Sequence, residues 1–158
     1  MKTQLIYYTF MLLFFMTSCS SSKTTLEIKN EITKKVESKD FTVNVNYANP
    51  LRMKQVALTS EYDLRIKNDS AFAFLPYFGV AYVAPYGSSE GGIKFAEPMT
   101  DYSITPNKKS TGWDIQFKIK SKQTSYEFFM NVFNNGSTTF IVSSFERDAI
   151  TFHGEVKR

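Results

Sequence analysis

The chain has 158 residues, a formal net charge of +4, 16% aromatic residues, one cysteine and one histidine. One cysteine excludes an internal disulfide, and one cysteine with one histidine falls short of the four ligands of a structural zinc site, so we expect no metal and no cofactor. The basic residues are scattered among acidic ones, so the composition does not indicate a nucleic-acid partner.

The N-terminal segment has the order of a bacterial lipoprotein signal. A start containing a lysine is followed by an apolar stretch at residues 5–16, and two small polar residues lead straight into Cys19. A helix of this stretch would be about 18 Å long, which is shorter than the roughly 30 Å hydrocarbon layer of a membrane. The pattern predicts a signal peptide at residues 1–18 and a tether at residues 19–23.

Acylation of the thiol and amine of Cys19, with palmitate as the fatty acid, would account for a lone cysteine in an exported chain. The expected location is then the cell envelope, with the protein held by lipid at the periplasmic face of the outer membrane. Two alternatives remain open, because Met16 occupies the position where a lipobox has a branched residue. They are an ordinary secretory signal cut near Ser18 and an uncleaved anchor.

Residues 24–158 have the length of one domain, and their first part predicts a short helix over residues 24–38. Thr24 followed by Glu27 fits a capping box. Apolar residues recur at helical spacing at Ile28, Ile32 and Val36.

From Phe41 onward the apolar residues alternate with polar ones, which is the period of half-buried strands. Strands are predicted at 41–47, 61–67, 70–75, 113–120, 126–133, 138–145 and 149–156. Asn68-Asp69 and Asn135-Gly136 are turn sequences typical of tight hairpins. The predicted class is mainly β: a single antiparallel sheet of about eight strands, curved or barrel-like or folded into a two-layer sandwich, with one N-terminal amphipathic helix.

The segment from Leu75 to Phe95 reads LPYFGVAYVAPYGSSEGGIKF and is dense in proline, glycine and tyrosine. Together with Asp101-Tyr102, the FNNGS turn at 133–137 and the Arg147-to-Ile150 step, it resembles an uncharacterised lipoprotein family of the Bacteroidetes type, domain of unknown function 4251. The resemblance covers roughly residues 24–156. It implies an exported, anchored, mainly β protein, and it carries over no catalytic residue.

The rings of this segment are candidates to line a groove for a sugar, a peptide or a lipid chain, since aromatic side chains offer broad apolar faces with a polar edge. The candidate binding residues are Tyr77, Phe78, Tyr82 and Tyr86. The competing interpretation is a long hairpin that packs over an open barrel end and uses these rings only for its own packing.

Catalytic patterns are weak. A serine with His153 and Asp148 lacks the G-x-S-x-G elbow, and His153 is expected to face solvent. Glu90 with Glu97 or Asp101 is a carboxylate pair of the kind that cleaves glycosidic bonds, provided that the fold brings the pair together. The leading hypothesis is therefore a non-enzymatic binding or scaffold protein of the envelope, whose partner is a protein, a glycan or a lipid. The alternatives are an apolar-ligand carrier and a glycan-directed hydrolase.

Overall fold

The structure is a computed structural model, and it describes residues 24–83, 92–109, 111–121 and 124–158. The predicted signal peptide and tether lie outside these residues. The described part contains one helix, α1, at Thr25–Glu37. It also contains nine strands, with the bounds β1 Asp40–Pro50, β2 Val56–Ala57, β3 Asp63–Lys67, β4 Ser70–Leu75, β5 Ile93–Pro106, β6 Gly112–Lys120, β7 Ser125–Phe133, β8 Ser137–Ser144 and β9 Arg147–Val156.

The strands form a closed antiparallel barrel. Their order is β2-β1-β3-β4-β5-β6-β7-β8-β9, and β1 also pairs with β9, which joins the two sides of the sheet. Eight strands make the closed wall, and β2 is an extra strand on β1. The mainly β class, the antiparallel sheet and the N-terminal helix are confirmed, and closure selects the barrel from the alternatives that the sequence left open.

The pattern of alternation missed two strands, β2 and β5. Strand β2 has only two residues and carries no period. Strand β5 is 14 residues long, but it contains Pro98 and a bulge at Asp101, where φ is +54°. The second half of β5, from Thr100 onward, is largely exposed, so the alternation that marks the other strands is absent there.

The barrel interior is filled by aromatic rings from neighbouring strands. Phe117 stacks on Phe128 with ring centroids 4.7 Å apart, and Phe140 lies 5.2 Å from Phe152. Phe128 and Phe140 join the two pairs at 6.4 Å. All four side chains are buried, so rings occupy the space that a carrier of apolar ligands would keep open.

Helix α1 closes one end of the barrel, which we call the helix end. At this end β1 begins, β9 ends, and the turn between β7 and β8 lies. Ile32 and Val36 are completely buried and belong to the core. Gly136 has φ +90°, and a Cβ there would come within 3.2 Å of the Ile32 side chain, so the turn and the helix fit closely. The helix is anchored by apolar packing, as its amphipathic pattern predicts.

The start of α1 also follows the prediction. The Glu27 carboxylate accepts a hydrogen bond from the Thr24 backbone N–H at 3.0 Å, as a capping box requires. The described part of the chain contains no helix with the length and hydropathy of a membrane span.

Candidate functional site

The aromatic segment lies at the opposite end of the barrel, which we call the loop end. After β4 the chain runs from residue 76 to residue 83 toward the turn between β8 and β9. In the ring of eight, β4 lies four positions from β8 and three from β9, so this segment crosses the barrel end. Tyr77, Phe78 and Tyr82 lie on it, whereas Tyr86 and Cys19 lie outside the described residues.

Backbone hydrogen bonds hold the crossing segment to the β8–β9 turn. The Tyr82 N–H donates to the Glu146 carbonyl oxygen at 2.7 Å, and the Asp148 N–H donates to the Val80 carbonyl oxygen at 3.0 Å. Between these two bonds, Ala81 and Arg147 form a β-bridge. The segment is thus attached like a short additional strand.

The carboxylate of Asp148 is the centre of this attachment. Its side chain is only 3% exposed. It accepts a hydrogen bond from the Tyr82 hydroxyl and another from the Val80 backbone N–H at 3.4 Å. It also forms an ion pair with the Arg52 Nε at 3.3 Å. A buried carboxylate needs such donors, because burying an unpaired charge is costly. Three separate parts of the chain therefore meet at one side chain.

Tyr77 supports the same attachment from within. Its hydroxyl lies 3.0 Å from the Val80 carbonyl oxygen and 3.1 Å from that of Asp148, and it donates to these two acceptors. The Arg147 guanidinium lies over the Tyr77 ring at 4.8 Å. Gly79 permits the close approach, because a Cβ there would lie 2.7 Å from the Tyr77 hydroxyl oxygen. We call Arg52, Tyr77, Val80, Tyr82 and Asp148 the Asp148 cluster.

The two tyrosines of this cluster act as hydrogen-bond donors. The hydrogen bond to Asp148 raises the pKa of Tyr82 above its ordinary value of 10.0. Burial, and then the negative charge of Asp148, raises the pKa of Tyr77. Both hydroxyls are therefore protonated at neutral pH and can donate the hydrogen bonds that hold the crossing segment.

The same three parts of the chain also present exposed apolar side chains at the loop end. One part is the turn after β1, the second is the crossing segment, and the third is the β8–β9 turn. The exposed residues, which we call the apolar rim, are Leu51, Met53, Val80, Tyr82, Val83 and Phe145. Phe145 is the most exposed of them, at 77%. Exposed apolar side chains concentrated in one place are typical of interaction surfaces.

A model of the family described as Domain of unknown function (DUF4251) matches residues 23–156. The chain belongs to the DUF4251 family. No curated protein sequence matches it. The matched range includes the whole barrel and helix α1.

A crystal structure of a DUF4251 family protein from Bacteroides eggerthii DSM 20697, at 1.95 Å resolution, is similar to this chain. The TM-score is 0.64 at 16% sequence identity, and the match covers 82% of this chain and 86% of that chain. At this identity the similarity shows the fold alone.

The structure separates the catalytic candidates. His153 is half-buried, with Nδ1 3.0 Å from the Thr139 hydroxyl and Nε2 2.9 Å from the Asn49 amide nitrogen. None of the hydrogen bonds of His153 involves Asp148, whose donors are those of the loop end. His153 therefore occupies the outer wall of the DUF4251 barrel as a hydrogen-bonded strand residue.

Of the predicted carboxylate pairs, the structure describes Glu97 and Asp101. Asp101 forms an ion pair with Lys118 at 3.1 Å, and Glu97 lies opposite Ala71 in the sheet. Glu90 lies outside the described residues. Within the described part of the chain, no group of three or more histidine, cysteine, aspartate or glutamate side chains is placed to hold a metal ion.

The sequence pointed to Tyr77, Phe78 and Tyr82 by their residue type, but it did not indicate Arg52 or Phe145. Asp148 was considered only as a partner of a histidine. One signal was available for Phe145: it is an aromatic residue at the end of the predicted strand 138–145, on the opposite face from the apolar residues Phe140 and Val142. Nothing in the sequence marks Arg52, because its contact depends on the barrel topology.

Proposed function

We propose that this DUF4251 protein is a lipid-anchored, non-enzymatic protein of the cell envelope that binds another envelope protein through the apolar rim. The observation that carries the proposal is the convergence of three chain segments at Asp148, each presenting exposed apolar side chains at the loop end. The proposed location is the periplasmic face of the outer membrane, with Cys19 as the lipidated residue.

The geometry suits such an anchor. Cys19 precedes α1 by six residues, and α1 closes the helix end. Strand β1 runs 11 residues from the helix end to the loop end. At about 3.3 Å per residue and a tilt of about 40°, this corresponds to a barrel height of roughly 28 Å. In the proposal the membrane attachment is on the helix side, and the apolar rim faces away from the membrane.

The filled interior favours surface binding over carriage of an apolar ligand. Phe117, Phe128, Phe140 and Phe152 are buried and in mutual contact across four strands. Of the carboxylates that the sequence suggested for glycan hydrolysis, Asp101 is paired with Lys118 and Glu97 lies opposite Ala71 in the sheet. Neither alternative gains support from the geometry.

Intact-protein mass spectrometry, combined with labelling of cells by an alkyne analogue of palmitate, tests the anchor. We expect the mature chain to begin at Cys19, to carry lipid mass and label, and to sediment with membranes. Cys19→Ser should abolish the label. A wild-type chain without lipid, or one that retains residues 1–18, contradicts the anchor.

Site-specific photocrosslinking in intact cells tests the binding surface. A photoreactive amino acid replaces Phe145 or Val83 on the apolar rim, and replaces Leu26 on α1 as the control. Leu26 is a matched control because it is 72% exposed, against 77% for Phe145. We expect the same envelope protein to be captured from both rim positions and not from Leu26. Capture from all three positions alike, or from none, contradicts the proposal.

A further inference from the structure

A second concave surface lies on the outer wall of the barrel, away from the Asp148 cluster. It is a groove of about 640 Å³. Its lining includes the outward side chains of β1, the link from Leu58 to Tyr62, and the charged side chains of Arg65 and Lys157. None of the apolar rim residues contributes to it. We call this surface the outer groove.

The groove exists because three residues are looped out of the wall. The Val45 N–H donates to the Tyr62 carbonyl oxygen at 2.9 Å, and the Leu58 N–H donates to the Asn46 carbonyl oxygen at 2.9 Å. These bonds use neighbouring residues of β1, so residues 59–61 bulge outward between them. The link thereby forms a raised border beside the outer face of β1.

A β-bulge on the other side of β1 adds to the groove. The register with β9 shifts between Val45 and Tyr47, so Asn46 has no partner in that ladder. Gly154 makes the irregular pairing possible, because a Cβ there would lie 2.0 Å from the Asn44 carbonyl oxygen. Bulges of this kind often lie next to functional sites, and this one leaves the exposed Asn44 and Asn46 on the groove surface.

The groove combines amide, charged and aromatic groups. The side chains of Asn44 and Asn46 are exposed and line the groove, so their amides are accessible to a ligand. Arg65 contacts Asp63 at 3.5 Å. The Tyr62 ring is stacked on Phe74 with centroids 5.5 Å apart, which fixes its orientation at the border of the groove.

The charges of the lining balance. Two acidic side chains, Glu61 and Asp63, are matched by two basic ones, Arg65 and Lys157. A strongly charged ligand has no excess of opposite charge to meet, and an apolar ligand would face mainly polar groups. A neutral ligand rich in hydroxyl groups suits the lining, because amides and carboxylates pair with hydroxyls and a ring packs against the apolar face of a sugar.

We propose that the outer groove binds a neutral glycan. Its volume lies within the roughly 300–1,000 Å³ of known small-molecule sites. Asn44 and Asn46 hydrogen-bond the sugar hydroxyls, the Asp63–Arg65 pair supplies an acceptor and donors beside them, and Tyr62 provides the ring. The proposal is independent of the lipid anchor and of the apolar rim.

Saturation-transfer NMR and calorimetry on the full-length chain test this proposal, in a zwitterionic detergent that contains no sugar. The probes are maltohexaose, cellohexaose, chitotetraose and mannohexaose. We expect binding of at least one probe. The double variant N44A/N46A should weaken that binding at least tenfold, while Asn30→Ala, which removes the same side chain from the exposed surface of α1, should change it less than twofold.

Two results would overturn the proposal: no binding of any of the four probes at 10 mM, or unchanged binding by a folded N44A/N46A variant. Thermal unfolding of both variants shows whether they are folded. Should N44A/N46A fail to fold, Lys157→Ala takes its place, because Lys157 lines the groove and follows the last strand. This variant too should weaken glycan binding. Phe145→Ser on the apolar rim should leave glycan binding unchanged, so the two proposals fail separately.

Discussion

The two ends of the barrel are closed in different ways. At the helix end, α1 inserts Ile32 and Val36 into the core, and both are completely buried. At the loop end, the crossing segment is held by hydrogen bonds and an ion pair to one carboxylate, that of Asp148. Apolar packing makes the first closure part of the core. The second closure depends on polar contacts that can open locally, and it leaves apolar side chains exposed for a partner.

The largest expected effect is at the helix end. Ile32→Ala removes a fully buried side chain that packs against the turn at Gly136. We expect a loss of about 3 kcal/mol in the free energy of unfolding, since isoleucine-to-alanine changes in cores typically cost about 2–5 kcal/mol. Urea denaturation followed by circular dichroism measures it.

Leu26→Ala is the control on the same helix, because Leu26 is 72% exposed. It should change stability by less than about 0.5 kcal/mol. Equal effects of the two substitutions would show that α1 is not part of the core, and the contrast between the ends would disappear.

At the loop end we expect a smaller effect, and a more local one. Asp148→Asn removes the negative charge of the carboxylate that accepts a hydrogen bond from the Tyr82 hydroxyl and pairs with Arg52. Hydrogen bonds to charged groups contribute about 1.5–3 kcal/mol, so we expect a loss of about 2 kcal/mol. Hydrogen exchange at the backbone N–H of Tyr82 should accelerate far more than exchange in β6 and β7.

Arg52→Ala separates the ion pair from the rest of the cluster. The Arg52 side chain is 63% exposed, so its pair with Asp148 is partly screened, and the loss should stay below about 1 kcal/mol.

Uniform acceleration of exchange throughout the barrel in Asp148→Asn would mean that the loop end is as much a part of the core as the helix end.

The same contrast explains which parts of the fold the sequence predicts. Helix α1 was predicted because its signals are local: the capping box joins residues three apart, and Ile28, Ile32 and Val36 recur every four residues. Strands with one buried face were predicted for the same reason. Strand β5 was missed because its prolines and its bulge break the alternation.

The Asp148 cluster was not predicted because its contacts join residues far apart in sequence. The Tyr82 hydroxyl and the Asp148 carboxylate are separated by 66 residues, and the Val80 N–H by 68. Only closure of β1 against β9 sets Arg52 beside this carboxylate. Residue type singled out the tyrosines, but their roles as donors to Asp148 follow from topology.

A further prediction concerns one polar atom in the apolar closure of the helix end. Tyr102 stacks on Phe117, and Lys39, directly before β1, lies over its ring at 4.5 Å. Its hydroxyl is buried with no hydrogen-bond partner among the described residues. Leaving such a group unpaired costs about 1–3 kcal/mol, so Tyr102→Phe should raise the stability by about 1 kcal/mol. Tyr47→Phe, on an exposed ring, should change it little.

The effect of Tyr102→Phe on stability depends on pH, and the pKa of Tyr102 gives its direction. Burial raises the pKa of Tyr102 above its ordinary value of 10.0, so above about pH 10 the unfolded chain loses a proton that the folded chain retains. The stability therefore falls as pH rises through this range, and Tyr102→Phe should fall less steeply between pH 9 and pH 11. Some slope remains, because burial also raises the pKa of Tyr126. Urea denaturation at a series of pH values measures the slope of stability against pH for the wild type and for Tyr102→Phe. Equal slopes would show that the Tyr102 hydroxyl reaches solvent. The helix end would then be less completely apolar than its packing indicates.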